Sequence, residues 1–328
     1  MTESSVLVTG GAGYIGSHVV LALRHHGWPV VVIDDLSTGL RRLVPDVVEL
    51  VEASVADRAA VEAVFRAHRV GAVVHLAGSI VVPDSIARPL DYYANNTLAS
   101  HALIGAALAC GVRHFLFSST AAVYGEPVRV PIDENDPTRP INPYGASKLM
   151  VERMLADAGA AHGLAWGALR YFNVAGADPE GRSGQAGGRS THLVRIAAEA
   201  VCGKRGHVAV YGDDYDTSDG TCVRDYIHVS DLAEAHVAAL EALVARPGEP
   251  LLLNCGYGRG FSVREVLAAA ERVSGMRLDI RVEGRRAGDP AVLVAGNRRL
   301  LDTLDWTARY DDLDRIVADA IRWERSLP

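Results

Sequence analysis

Along the first 175 residues, short continuous apolar runs alternate with longer segments in which apolar residues return every three or four positions. The runs "SVLVTG", "VVVIDD", "AVVHLAG", "HFLFSST" and "WGALRYFN" are dense in β-branched and aromatic residues, as strands buried on both faces should be. Between them, "HVVLALRHHG", "DRAAVEAVFRAH" and "NTLASHALIGAALACG" predict amphipathic helices, the last closed by Gly111. Strand and helix in alternation predict an α/β fold, a doubly wound parallel sheet with helices on both faces.

After residue 175 the rhythm breaks. The Gly-rich "GADPEGRSGQAGGRS" predicts a mobile loop and a domain boundary. Helices follow at "THLVRIAAEAV", "SDLAEAHVAALEALV" and "SVREVLAAAERVSG", and "LLLNCG" predicts a strand that returns to the first sheet. The expected organisation is residues 1–175 as one domain, with 223–257 returning to it, and 176–328 as a smaller mixed α/β domain. No internal repeat or low-complexity segment is evident.

Composition narrows the function classes. A chain of 328 residues with 49% hydrophobic residues can bury a large core. The formal net charge of -7 is spread over interspersed acids and bases, which argues against a nucleic-acid partner. "MTESS" does not read as a signal peptide, and no apolar run approaches the roughly 18 residues that span a membrane. The expectation is a cytoplasmic protein with no membrane partner. Cys110, Cys202, Cys222 and Cys255 form no C-x-x-C pair and read as reduced thiols. The histidines, His25, His26 and His75 included, make no metal-ligand constellation, so no metal is expected.

The first strand ends in "TGGAGYIGSH", which places Gly10, Gly11, Gly13 and Gly16 just before a helical pattern. Glycines there permit a tight turn and a close approach of backbone to pyrophosphate, with the helix N-terminus supplying free N–H groups. The second strand ends at Asp34, where a carboxylate accepts from adenosine ribose hydroxyls and repels a 2′-phosphate. This is a Rossmann-like dinucleotide site that favours NAD over NADP. The bland alternative is a tight βα turn with Asp34 as a solvated strand end.

A second stretch, "INPYGASKLM", opens a helix, because Asn142 can cap it and Pro143 suits its first position. Tyr144 and Lys148, four residues apart, share a face, with Ser147 beside them. Lowering a tyrosine pKa by about 3 units takes roughly 4 kcal/mol. One cation about 6 Å away at an effective dielectric of about 20 supplies near 3 kcal/mol. An oxidised nicotinamide would add the rest, making Tyr144 a base whose strength depends on a bound cofactor.

Taken together, "TGGAGYIG", "SSTAAVYG", "NPYGASK", "LRYFNVAGA" and "DGTCVRDYIHVSDLAEAH" resemble the extended short-chain dehydrogenase/reductase family over essentially the whole chain. Within that family they are most similar to the members that invert C4 of UDP-hexoses. The resemblance implies an NAD-dependent isomerase: Tyr144 takes the 4-hydroxyl proton as hydride leaves C4, and hydride returns to the other face of the 4-keto sugar. Thr120 would hydrogen-bond the 4-oxygen, and Lys148 would bind the nicotinamide ribose and depress the Tyr144 pKa. Ser147 is expected to serve packing or a local backbone hydrogen bond.

The same resemblance assigns Gly10, Gly13, Tyr14, Ile15 and Gly16 to the pyrophosphate turn and Asp34 to the adenosine ribose. Leu76, Ala77, Gly78 and Asn95 would line the cofactor, with Ser118 and Tyr171 near the nicotinamide. Asn173, Leu193, Tyr211, Arg224, Arg286 and Asp289 would contact UDP. The arginines suit a diphosphate as planar, permanent donors, and Tyr211 would stack on uracil. A homodimer through first-domain helices is also implied.

Departures from the family pattern are Ser54-Val55 at the adenine position, Ile80 where some members have Lys, His192 where some have Asn, and Leu293 beside the sugar 2-substituent. Rival readings are a UDP-N-acetylhexosamine or UDP-pentose 4-epimerase, a 4,6-dehydratase and a catalytically silent NAD-binding protein. The dehydratase reading conflicts with Ala121 and Ala122, where an acid and a base are needed.

Overall fold

The computed structural model describes residues 4–188, 191–286 and 288–328. Strands β1 (Ser5–Thr9), β2 (Val30–Asp34), β3 (Glu49–Glu52), β4 (Val70–His75), β5 (His114–Thr120) and β6 (Ala165–Tyr171) form the first half. Helices α1 (Tyr14–His25), α2 (Arg58–Ala67), α3 (Val82–Ala87), α4 (Pro89–Tyr92), α5 (Ala99–Ala109) and α6 (Pro143–His162) connect them, a π-helical stretch over Tyr93–Leu98 joining α4 to α5. The second half runs through β7 (Asn173–Ala175), α7 (Leu193–Val201), β8 (Val208–Tyr211), β9 (Val223–His228), α8 (Val229–Ala245), β10 (Leu251–Cys255) and β11 (Gly260–Ser262). It closes with α9 (Val263–Ser274), β12 (Ile280–Glu283), β13 (Val292–Leu293), α10 (Arg298–Thr303) and α11 (Leu313–Ser326).

Seven parallel strands form the main sheet in the order β10-β6-β5-β4-β1-β2-β3. In β1, Val6 and Val8 join one core with Val20, Val32 and Leu240, and Leu7 joins the other with Ile33, Val73 and Phe115. Both faces are therefore apolar, which is why the strands read as continuous runs. Strand order reverses between β1 and β4, the switch point at which such sheets bind ligands at the carboxyl ends of their strands.

β10 returns to this sheet as expected, but the stretch 223–257 does so only in part. Val223–His228 pairs with β7, β11 and β13 in a separate four-stranded sheet, and the return begins with α8, packed on α1, β5 and β6. β7 belongs to that second sheet too, so the chain passes from one sheet to the other at Phe172. A buried strand such as β9, "VRDYIH", fits either sheet by pattern; only its partners decide.

The expected mobile loop is packed where it is described. Arg182 grips Asp178 with two hydrogen bonds of 2.8 Å, and Ala177 pairs with Gly184. Trp323 of α11 lies so close to Gly184 that a Cβ there would come within 2.4 Å of the ring, and its indole N–H donates to the Gln185 carbonyl at 2.9 Å. The glycines admit tight turns and this close approach, so their density reflects packing. Arg189 and Ser190 lie outside the described residues.

Candidate active site

The β1–α1 turn is built on close contacts. A Cβ on Gly16 would stand 2.0 Å from the Gly10 carbonyl oxygen, so only glycine lets α1 pack this near the strand. Gly13 caps α1 with no side-chain bond, and the first turn carries no acid, so its N–H groups and dipole face the crevice. Tyr14 donates to the Gly176 carbonyl at 2.7 Å and, with Ile15, lines the cleft. At the end of β2, the buried Asp34 accepts from Ala12 N–H and Leu36 N–H, both at 2.9 Å. Burial raises its pKa against those bonds. A fixed carboxylate beside an uncapped helix start is a donor-and-acceptor set that fits a dinucleotide.

Leu76, Ala77 and Gly78 follow β4, where Leu76 N–H and Ala77 N–H both donate to Thr9 Oγ1 at 3.2 Å. Thr9 meets His75 Nδ1 at 2.7 Å, and His75 Nε2 meets Ser100 Oγ at 2.7 Å. Burial and the Lys148 charge push His75 down to about 3, so it stays neutral. Asn95 is exposed and donates to Ser79 Oγ at 2.8 Å, whereas the neighbouring Asn96 is buried, accepts from Ser79 N–H at 2.7 Å and donates to Ser147 Oγ at 3.0 Å. Ser54 Oγ accepts from Ala56 N–H within its own turn at 3.2 Å, and Val55 is in the core.

Asn142 caps α6, its Oδ1 accepting from Gly145 N–H at 2.9 Å, and Pro143 occupies the first turn as expected. Tyr144 is thereby set on the cleft wall beside Thr120, the last residue of β5. Burial raises the Tyr144 pKa, the Thr120 hydroxyl draws it back, and Tyr92 adds a small rise. Lys148, one turn further, is buried; its Nζ donates to the Ser118 carbonyl at 2.9 Å over the Phe117 ring. Burial pushes this ammonium down to about 8. The Lys148 cation is tied to Ser118, and the Thr120 hydroxyl is the neighbour that lowers the phenol against its burial. Ser147 donates to the Tyr144 carbonyl at 2.7 Å, the local bond expected of it.

Across the cleft stands the second domain. Arg224 on β9 is directed inward, its guanidinium held by the Val223 carbonyl at 2.8 Å and by Asp289 at 2.5 Å. Asp225, on the opposite face of the strand, accepts from Tyr257 N–H, Gly258 N–H and Ala295 N–H and is pushed up to about 6 by burial. The "VRD" triplet therefore presents one side chain to the cleft and anchors two loops, at Tyr257–Gly258 and at Ala295, with the other. Arg286 lies 3.7 Å over the Tyr211 ring, so of that pair it is Arg286 that lines the cleft.

The cleft measures about 780 Å³. It gathers Tyr14, Ile15, Ser118, Thr120, Tyr144, Tyr171, Asn173, Leu193, Arg224, Arg286, Asp289 and Leu293, together with Ile80 and His192. Gly10, Gly13, Gly16, Asp34, residues 76–78, Asn95, Lys148 and Tyr211 lie outside its lining. Sequence reasoning did not name Phe172, Gln185, Tyr226, Trp323 or Glu324, which also line it. The amphipathic period of α11 was a signal for a packed helix, but nothing local pointed that helix at the cleft. Among the described residues no group of three or more His, Cys, Asp and Glu side chains is placed to hold a metal, and no helix is long and apolar enough to cross a membrane.

Comparison with known proteins agrees with this geometry. Residues 6–256 match the model of the NAD dependent epimerase/dehydratase family. The chain is 59% identical over 322 residues to a UDP-glucose 4-epimerase of Azospirillum brasilense, covering 98% of this chain and 92% of that one. Its fold is similar to the crystal structure of UDP-glucose 4-epimerase from Brucella ovis in complex with NAD, with a TM-score of 0.94, 42% identity and 98% of each chain covered. The Stenotrophomonas maltophila UDP-glucose 4-epimerase, solved with NAD and formylated UDP-arabinopyranose, gives 0.94 at 40% identity, again over 98% of each chain.

Proposed function

The chain belongs to the NAD dependent epimerase/dehydratase family, and from that premise we infer that it interconverts UDP-galactose and UDP-glucose, by transient oxidation at C4, rotation of the 4-keto sugar and hydride return. The observation that carries this reading is the placement of Tyr144 and Thr120 on one wall of the cleft, facing Arg224, Arg286 and Asp289 on the other.

NAD, when bound, supplies a reversible hydride acceptor. The Gly10–Gly16 turn and the start of α1 would hold its pyrophosphate, Asp34 its adenosine ribose and Lys148 its nicotinamide ribose. Tyr144 exchanges the proton of the sugar 4-hydroxyl, and Thr120 bonds the 4-oxygen and tempers the phenol's basicity. Proton and hydride both return, so no external acid or oxidant is needed. Arg224 and Arg286 bind the diphosphate through charge-assisted bonds, which keeps the nucleotide fixed as the sugar turns. Elimination is disfavoured because Ala121 and Ala122, both on the cleft wall, carry no acid or base.

Leu293 leaves the pocket beside the sugar of intermediate width, which favours hexoses and keeps N-acetylhexosamines and pentoses as second substrates. We place the protein in the cytoplasm, where its four free cysteines stay reduced. We also read it as a homodimer through the first-domain helices, where Leu90, Leu98 and Met150 are exposed. NMR of the anomeric protons tests the activity: protein purified without added cofactor should convert UDP-galactose to UDP-glucose, and Tyr144→Phe should not. Absence of any 4-epimer from UDP-galactose, UDP-N-acetylgalactosamine or UDP-arabinose would overturn the reading.

A further inference from the structure

Behind the cleft wall, α6 and β6 are joined by a buried charge pair that the proton exchange above does not use. Glu152 follows Tyr144 and Lys148 along one face of α6, each a turn from the next. Both of its carboxylate oxygens go to Arg170 of β6, Oε1 accepting from Nε at 3.0 Å and Oε2 from Nη2 at 2.7 Å. Oε1 also accepts a short bond from the Ser119 hydroxyl of β5. Arg170 donates further to the Tyr124 hydroxyl at 2.8 Å and to the Glu134 carbonyl at 3.3 Å. Glu152 and Arg170 are both buried.

Stability does not account for this pair, because a buried ion pair replaced by apolar side chains of similar volume is often neutral or more stable. Its place on the helix offers another reason. Lys148 and Glu152, one turn apart, are natural ion-pair partners, yet they are kept apart here. The ammonium gives one of its three protons to the Ser118 carbonyl, and no carboxylate among the described residues pairs with it. Two N–H donors are left for a ligand. On the elements packed around α6, Asp84 and Asp91 are exposed and pair with Arg88. Burial raises the phenols of Tyr92, Tyr144 and Tyr171 and keeps His75 neutral, so none of these is an anion.

We propose that Arg170 is a positioning residue whose planar fork holds the Glu152 carboxylate away from Lys148, so that the ammonium keeps two donors for the nicotinamide ribose. The inference rests on the reading that this cleft holds NAD. Without the fork, Glu152 would retain only the Ser119 hydroxyl, and Lys148 would be the cation one turn away on its own helix. An ammonium drawn to that carboxylate has fewer donors to offer the cofactor.

The experiment follows release of bound cofactor from the holoprotein, by exchange into excess radiolabelled NAD across neutral and alkaline pH. Wild type should release NAD slowly at pH 7 and faster as Lys148, pushed down to about 8 by burial, loses its charge. Arg170→Met should release it about tenfold or more faster at pH 7, the consequence of losing a charge-assisted hydrogen bond. Its alkaline rise should come about one pH unit or more later, because a carboxylate beside the ammonium favours the charged form. Arg170→Met combined with Glu152→Met should return both the rate and the rise to near wild type, since the competing anion is gone. Arg170→Lys, which keeps a cation on Glu152, should recover most of the retention. An alkaline rise left in place in Arg170→Met, or a double variant that releases NAD as fast as the single, would overturn the proposal. Should Arg170→Met fail to fold, the double variant decides, and release about tenfold or more above the wild-type rate would overturn it. Wild-type protein that holds no NAD would instead overturn the cofactor reading on which the proposal stands.

Discussion

The Lys148 ammonium donates to the Ser118 carbonyl at 2.9 Å, so the cation of the Tyr-x-x-x-Lys spacing is anchored to the end of β5 and held under the cleft floor. Its burial is unfavourable to the charged form, which lowers its pKa from 10.5 to about 8. Below about pH 8 the ammonium is charged in folded and unfolded states alike and the penalty is fully present. Between about pH 8 and 10.5 the folded state loses the proton first and the penalty fades. Lys148→Met should therefore stabilise the cofactor-stripped protein at pH 7, by up to roughly 3 kcal/mol less the lost hydrogen bond. It should also reduce epimerisation by at least about a hundredfold. Urea unfolding beside turnover checks both; a destabilised variant would show that the ammonium is net favourable where it sits.

Thr120 is the group that draws the Tyr144 pKa down against burial. Thr120→Val should lower kcat by about ten- to a hundredfold and move the rise of the pH–rate profile to higher pH, because the phenol becomes harder to ionise. Thr120→Ser should restore both. A profile that stays in place as kcat falls would mean the hydroxyl acts on the sugar alone.

Three buried histidines are held neutral, with His75 pushed down to about 3 and His18 and His236 to about 4, burial being the main cause in each. The unfolded chain binds protons on all three from about pH 6.5 downward before the folded chain does, so stability is present above that pH and is lost as pH falls. Each should remove about 2 kcal/mol between pH 6.5 and 5. Asp225, pushed up to about 6, works in the opposite sense and offsets part of the loss. Denaturant midpoints at pH 7.5 and 5.0 should differ accordingly, and a flat dependence would contradict the neutral assignments.

Arg224 is forked between the Val223 carbonyl and Asp289. Lysine keeps the charge without the planar fork, so Arg224→Lys should raise KM for the UDP-sugar by about tenfold with little change in kcat. A fall in kcat with KM unchanged would place Arg224 with the reacting sugar instead of the diphosphate.

Leu293 stands half-buried in the cleft lining. Leu293→Tyr should cut kcat/KM for UDP-N-acetylgalactosamine by at least about tenfold and leave UDP-galactose nearly untouched, because added bulk excludes the larger 2-substituent. Equal losses on the two substrates would remove Leu293 from the sugar pocket.

Much of the first domain was legible because its signals are local. Gly10, Gly13 and Gly16 are demanded by the turn they themselves form, and Asn142 with Pro143 opens α6 by contacts within four residues. β3 escaped notice because "ELVE" has an apolar core of two residues at a sheet edge. The expectation that Val223–His228 returns to the main sheet failed for a different reason, since the residues of a buried strand such as "VRDYIH" do not name its partner.

What the sequence alone determined was the doubly wound half, the cofactor turn and the presence of a tyrosine and a lysine on one helical face, all consequences of spacing within single elements. Only the tertiary structure decided that Lys148 serves the Ser118 carbonyl, that Arg286 covers Tyr211, that α11 brings Trp323 to the cleft and that the Tyr171 hydroxyl meets His236. Each of these joins side chains from different elements, and a hydrogen bond depends on ångström distances that chain packing sets and residue spacing does not.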